Sequence, residues 1–106
     1  MNKYIKLGRA VANKSTHNFR HATLLLRGGK VLSYGYNHDN RHAEYNAIKS
    51  VWPKFRRGAV LINFRIGRKD TLLNSRPCFE CEQFSRQAGI KKIIFSTGEG
   101  FKEIKL

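Results

Sequence analysis

PCFECEQFSRQAGIKKIIFSTGEGFKEIKL, residues 77–106, is the stretch on which the fold turns. Pro77 suits a helix N-terminus, where its missing N–H costs nothing. A helix is read from about Cys78 to Ala88. Gly89 ends it, a residue that takes the left-handed conformation of a C′ position without strain. Lys92 to Ser96 reads as a strand, Thr97-Gly98-Glu99-Gly100 as a turn, and Phe101 to Leu106 as another strand. Four turn residues close a hairpin, whereas parallel neighbours need a long crossover. The last two strands are therefore expected to be antiparallel.

Working back from there, Ala59 to Ile66 (Ala-Val-Leu-Ile-Asn-Phe-Arg-Ile) is a further strand, joined to Pro77 by a polar loop from Gly67 to Arg76. Ala22 to Arg27 and Lys30 to Tyr36 are β-prone runs separated by Gly28-Gly29, the signal of a tight hairpin turn that needs positive φ. Asn37-His38-Asp39-Asn40 forms a turn, and a helix starts at about Arg41. Ala43, Ala47, Ile48, Val51 and Trp52 share one side of it until Pro53 stops it. Tyr4, Tyr34, Phe55 and Trp52 would suit base stacking if they lie on the surface, although Trp52 and Phe55 are expected in the core. Tyr4, Ile5, Leu7, Ala10 and Val11 give a first helix one apolar face. The order is α-β-β-α-β-α-β-β, an α/β pattern in a single domain spanning 1–106, with no internal repeat or linker.

The chain has 106 residues, with 21 Lys+Arg against 7 Asp+Glu and a formal net charge of +14. Such a field attracts polyanions and is the footprint of a nucleic-acid binder, although a merely well-solvated surface reads the same way. Basic residues cluster at Lys54, Arg56 and Arg57 and again at Arg65, Arg68 and Lys69. Met1 to Ala10 lacks the apolar core of a signal peptide, and no apolar run is long enough to span a bilayer. A cytoplasmic or otherwise intracellular protein, with no membrane partner, is expected.

Cys78 and Cys81 are the two cysteines. A pair this close makes a poor disulfide framework and reads first as metal-binding or redox-active. Three positions apart on a first helical turn, both sulfurs point to one spot. His42, at the start of another helix, would add a nitrogen ligand. Zn2+ suits this mixed nitrogen and thiolate set, and three protein ligands leave a fourth position for water. Two helix N-termini would bring positive dipole ends to the site and favour the thiolates. Glu44, two residues after His42, would reach the same cavity without binding the metal and move protons. Three other readings stay open. His38 or His17 could close a structural zinc site, the cysteines could be a thioredoxin-like dithiol, and Glu44 could be an ordinary solvated helix residue.

His42-Ala43-Glu44 followed by Pro77-Cys78-Phe79-Glu80-Cys81 matches the H-x-E…P-C-x-x-C signature of zinc base deaminases. With Gly28-Gly29-Lys30-Val31, Gly35-Tyr36-Asn37 and Gly89-Ile90-Lys91-Lys92-Ile93 in order, the sequence resembles the cytidine/deoxycytidylate deaminase superfamily over nearly its whole length. The resemblance implies a three-layer α-β-α cytidine deaminase-like fold: a five-stranded mixed sheet with helices on both faces. It implies that Asn37 binds the substrate sugar or an adjoining group, and that the backbone N–H groups of Ala43 and Cys78 help hold water or base. As a residue by itself, Asn37 is equally a plain turn residue. The loop between Asn37 and His42 has only four residues, so little of the pocket rim can come from it. The short link between the last two strands resembles the free-cytidine and bacterial-toxin branches more than the tRNA-adenosine branch.

The expected activity is zinc-dependent hydrolysis of cytosine to uracil, favoured within single-stranded DNA or RNA because of the charge. Free (deoxy)cytidine or dCMP is the alternative substrate, and a non-catalytic zinc-containing nucleic-acid-binding module the second alternative. Members of the superfamily often assemble, so a homo-oligomer is compatible with the sequence.

Overall fold

The computed structural model describes residues 2–38 and 42–106. The turn at Asp39 and Asn40 and the helix start at Arg41 lie outside the described residues. Helix α1 (Asn2–Ala12) leads into β1 (Arg20–Arg27) and β2 (Lys30–Tyr36), followed by α2 (Ala43–Lys49), α3 (Pro53–Arg56), β3 (Val60–Ile66), α4 (Phe79–Gln87), β4 (Lys92–Thr97) and β5 (Gly100–Lys105). The strands form one mixed sheet in the order β2-β1-β3-β4-β5. β1 runs antiparallel to both β2 and β3, β3 parallel to β4, and β4 antiparallel to β5. The antiparallel final pair is as the short turn required, and the helix α4 supplies the crossover that a parallel β3–β4 pair needs.

Alternation along the strands sorts the core into two layers. Leu24, Leu26, Ile62, Phe64 and Ile66 pack on Val11 and Ala12 of α1. On the opposite face Leu25, Leu61 and Ile93 meet Ala47, Ile48 and Val51, together with Ala59 and Ile90. Phe84 of α4 packs against this second cluster. The result is the α-β-α sandwich expected from the sequence. Burying each large aliphatic side chain contributes roughly 1.5–3 kcal/mol. No helix among the described residues is long and apolar enough to cross a membrane.

The β1–β2 hairpin turns on Gly28 and Gly29, at φ +59° and +77°. Both values belong to the primed two-residue turn that matches the twist of the strands. Gly35 has a different task. A Cβ there would lie 2.4 Å from both the carbonyl oxygen of Ala43 and the amide nitrogen of Ala47. The backbone of α2 rests directly on β2, and Ser33 Oγ and Asn46 Nδ2 fasten the two by donating to the Ala47 and Tyr36 carbonyls.

One expectation fails. Helix α2 ends at Lys49, and Pro53 opens the short α3 instead of merely ending its predecessor. Val51 takes the buried place, while Trp52, extended at the N-cap of α3, is 75% exposed and Phe55 38% exposed. The change of chain direction between the two helices turns both rings outward, so neither belongs to the core.

Candidate active site

Helices α2 and α4 lie on the same face of the sheet and meet near their N-termini. His42 is the N-cap of α2 but makes no side-chain capping bond. Its imidazole is thereby left to face Cys78 and Cys81: Nδ1 stands 3.1 Å from Cys81 Sγ and 3.7 Å from Cys78 Sγ. Cys78 is the N-cap of α4, where its sulfur accepts from the Cys81 N–H at 3.4 Å. All three donor atoms lie within 4.8 Å of one another. Tetrahedral zinc with its usual bond lengths separates such N and S ligands by about 3.6 Å, so the set fits the ion with little adjustment. Its charge balance points the same way. Burial, then the Glu44 carboxylate and Cys78, push the Cys81 thiol well above its ordinary range. A dipositive ion among these groups reverses that penalty and holds the sulfurs as thiolates.

Glu44 is 7% exposed and lies behind the cluster. Burial raises its pKa, opposed by its own backbone N–H, by His42 and by a hydrogen bond from Asn63. Asn63 of β3 donates from Nδ2 to Glu44 Oε2 at 3.1 Å, and its Oδ1 accepts from Thr23 Oγ1 of β1 at 2.8 Å. A polar chain thus crosses two strands to orient one carboxylate oxygen. Neither Asn63 nor Thr23 was identified from sequence; the signal available was a polar side chain interrupting each of two apolar strands on the same face. Asn63→Ala leaves two buried groups unpartnered. It is expected to cost about 1–3 kcal/mol in chemical denaturation. Turnover should fall about 10–100-fold through kcat with KM little altered, as expected for a misplaced proton carrier. An unchanged kcat would remove Asn63 from the site.

The segment that delivers Cys78 is held by two buried serines. Ser75 N donates to the Ser96 carbonyl and Ser75 Oγ to the Asn63 carbonyl, while Ser96 N donates to Ser75 Oγ. Leu73 N reaches the Arg65 carbonyl. The loop read as merely polar is therefore laid along the ends of β3 and β4, leading straight into Arg76-Pro77-Cys78.

A cavity of about 470 Å³ opens over this constellation, lined by His42, Ala43, Glu44 and Cys78 and by His17, His21, Asn37 and Arg76. Ala43 is the first residue of α2, so its N–H has no intrahelical acceptor. Asn37 lines the cavity with both ends of its amide engaged: Oδ1 accepts from His21 N and Nδ2 donates to the Phe19 carbonyl, each at 2.9 Å. The structure thus brings together all six residues singled out from the sequence, with Asn37 bracing the entry to β1. A larger hollow of about 710 Å³ runs along β2 and α2 past Tyr34, Tyr45 and Lys49, away from the cysteines.

Three nitrogen and sulfur donors that suit zinc stand beside a buried carboxylate and a cavity near two helix N-termini. The family of the cytidine and deoxycytidylate deaminase zinc-binding region matches residues 1–97, and the chain belongs to it. No curated protein sequence matches significantly. Among solved structures, the fold is similar to dCMP deaminase from the cyanophage S-TIM5, with TM-score 0.68 and 22% identity over 91% of this chain and 81% of that one. It is similar to cytidine deaminase from Mycobacterium leprae, with TM-score 0.67 and 19% identity over 93% and 88%. Acinetobacter baumannii RibD matches with TM-score 0.66 and 13% identity, over 90% of this chain but only 27% of that one. The chain spans about a quarter of the length of that relative.

Proposed function

We propose that the protein hydrolyses the 4-amino group of cytosine to give uracil and ammonia, on cytosine carried in single-stranded nucleic acid. The observation that carries the polynucleotide part is the net charge of +14. A mononucleotide would use only one or two of those cations. Aromatic rings with cations beside them add to it: Lys14 Nζ lies 4.9 Å from the Tyr34 ring centroid and Lys49 Nζ 5.8 Å from that of Tyr45. Bases stack on such surfaces while the backbone follows the charge.

In this reading His42, Cys78 and Cys81 would hold the zinc, which when bound would supply Lewis-acid activation of water. Glu44 takes one proton from the attacking water and passes it to the ring nitrogen as the water oxygen adds to C4. It then takes the second proton from that new hydroxyl and gives it to the amine, which leaves as ammonia as the C4–N bond breaks, so one carboxylate serves both transfers in turn. Its burial suits the task, since raising the carboxyl above its ordinary range makes it a stronger proton acceptor from water. The Ala43 N–H faces water or base, and Asn37 shapes the sugar-side wall.

The second reading, a free nucleotide or nucleoside substrate, is favoured by the small cavity and by the names of the structural neighbours, a dCMP deaminase and a cytidine deaminase. Uracil formation by zinc-loaded protein on single-stranded DNA, duplex DNA, RNA, dCMP and cytidine separates the two. Single strands should be preferred at least tenfold in kcat/KM over dCMP. With about three phosphate contacts, that advantage should fall roughly 10–30-fold between 50 and 200 mM salt. Turnover of dCMP or cytidine alone, flat with salt, would replace the polynucleotide reading. Full zinc occupancy without turnover of any of them would leave a binding module.

A further inference from the structure

Two residues beyond Asn63 on the same face of β3, Arg65 pairs across the sheet with His21. Alternation places it about 6.5 Å along the strand from Asn63, beside His21, which lines the cavity. Its guanidinium carbon stands 4.4 Å from the Phe19 ring centroid. Its Nε is buried and has no hydrogen-bond partner among the described residues. No described carboxylate pairs with it: Asp70 is taken by Arg20, Glu103 by Lys92, and Glu44 by Asn63.

The neighbours sharpen this imbalance. Burial, then the charges of Arg65, His42 and His17, push the His21 imidazole down to about 4, so it is neutral at physiological pH. Arg76, from the facing loop, lines the same cavity. The cavity lining therefore carries a permanent cation and a neutral ring, and the guanidinium of Arg65, which pairs with that ring's residue across the sheet, holds an unused buried N–H. A planar fork clamped against an aromatic ring is pre-organised for the paired oxygens of a phosphate.

We propose that Arg65, seated on Phe19 and assisted by Arg76, is a subsite for a phosphate group of the nucleotide whose base enters the cavity. Free monophosphates and the phosphodiester of a strand share this chemistry. The subsite rests on the deaminase reading for the identity of the base but makes its own demand on binding.

The test is calorimetric, with zinc-loaded protein titrated with deoxyuridine, dUMP and a trinucleotide centred on deoxyuridine. Wild type should bind a phosphate-bearing ligand at least tenfold more tightly than the nucleoside, and Arg65→Gln should reduce that ratio to within about threefold. Preference for dUMP identifies a monoester site; preference for the trinucleotide alone identifies a diester site. Equal affinity for all three ligands in wild type, or an undiminished ratio in Arg65→Gln, overturns the proposal. Should Arg65→Gln fail to fold, Phe19→Ala removes an exposed ring and must still lower the ratio severalfold. A phosphate preference in a protein that turns over no cytosine compound would leave the subsite standing and end the deaminase reading; turnover without the preference would do the reverse.

Discussion

Glu44→Gln keeps one zinc per chain and lowers turnover by about 1,000-fold or more. The amide is the same shape as the carboxylate, and its carbonyl can still accept from Asn63 Nδ2, so the polar chain from Thr23 survives. What disappears is a group able to take a proton from water and return it to the base. Stability should move the other way. Burial raises the Glu44 pKa, so the metal-free fold prefers the protonated acid. Stability therefore falls as pH rises from the ordinary carboxylate range through the raised value, because the unfolded chain ionises first. Removing that ionisation should leave the metal-free variant at least as stable as wild type at pH 7. Metal content, a melting curve and a turnover assay decide the matter together. Activity within tenfold of wild type would take the proton-carrying role away from Glu44, and loss of zinc would show that it holds the ion.

Removing zinc is expected to lower the melting temperature by more than about 15 °C, a loss of about 3–5 kcal/mol for a domain of this size. The ion joins segments far apart in sequence, with His42 before α2 and Cys78 and Cys81 at the start of α4. Without it, two positive helix ends face each other with no thiolate charge to offset them. Cys81→Ser should reproduce the loss and make melting insensitive to chelator. Chelator-treated wild type melting within about 2 °C of the zinc-loaded protein would mean that the sandwich stands without the metal.

The metal ligands were legible in the sequence because their chemistry is local. A histidine and a cysteine pair beginning two helices need only the helix starts to be placed, and Pro77 marks the second of them. The antiparallel β4–β5 pair was legible for the same reason, a turn too short for any other connection. Asn63 and Arg65 were not. Both sit in an apolar strand, and whether they face the site or α1 depends on how α2 and α4 dock. Trp52 misled because hydrophobicity marks a preference for burial, whereas its exposure was decided by the break between α2 and α3. Asn37 was placed at the cavity, but its engagement with the backbone of residues 19 and 21 depends on a long-range meeting with β1.

The bare seat at Gly35 bears on how the protein can vary. Where side chains separate a helix from a sheet, each substitution alters the spacing a little, and a carboxylate on that helix drifts with it. Here the peptide atoms of α2 touch the strand itself. They form a hard stop one residue before Glu44 and three residues after it. Substitutions among Leu25, Ile48, Leu61 and Ile93 can then retune stability without shifting the carboxylate relative to Asn63. Freedom to drift in the core and fidelity at the floor of the cavity are separated by the absence of one methyl group.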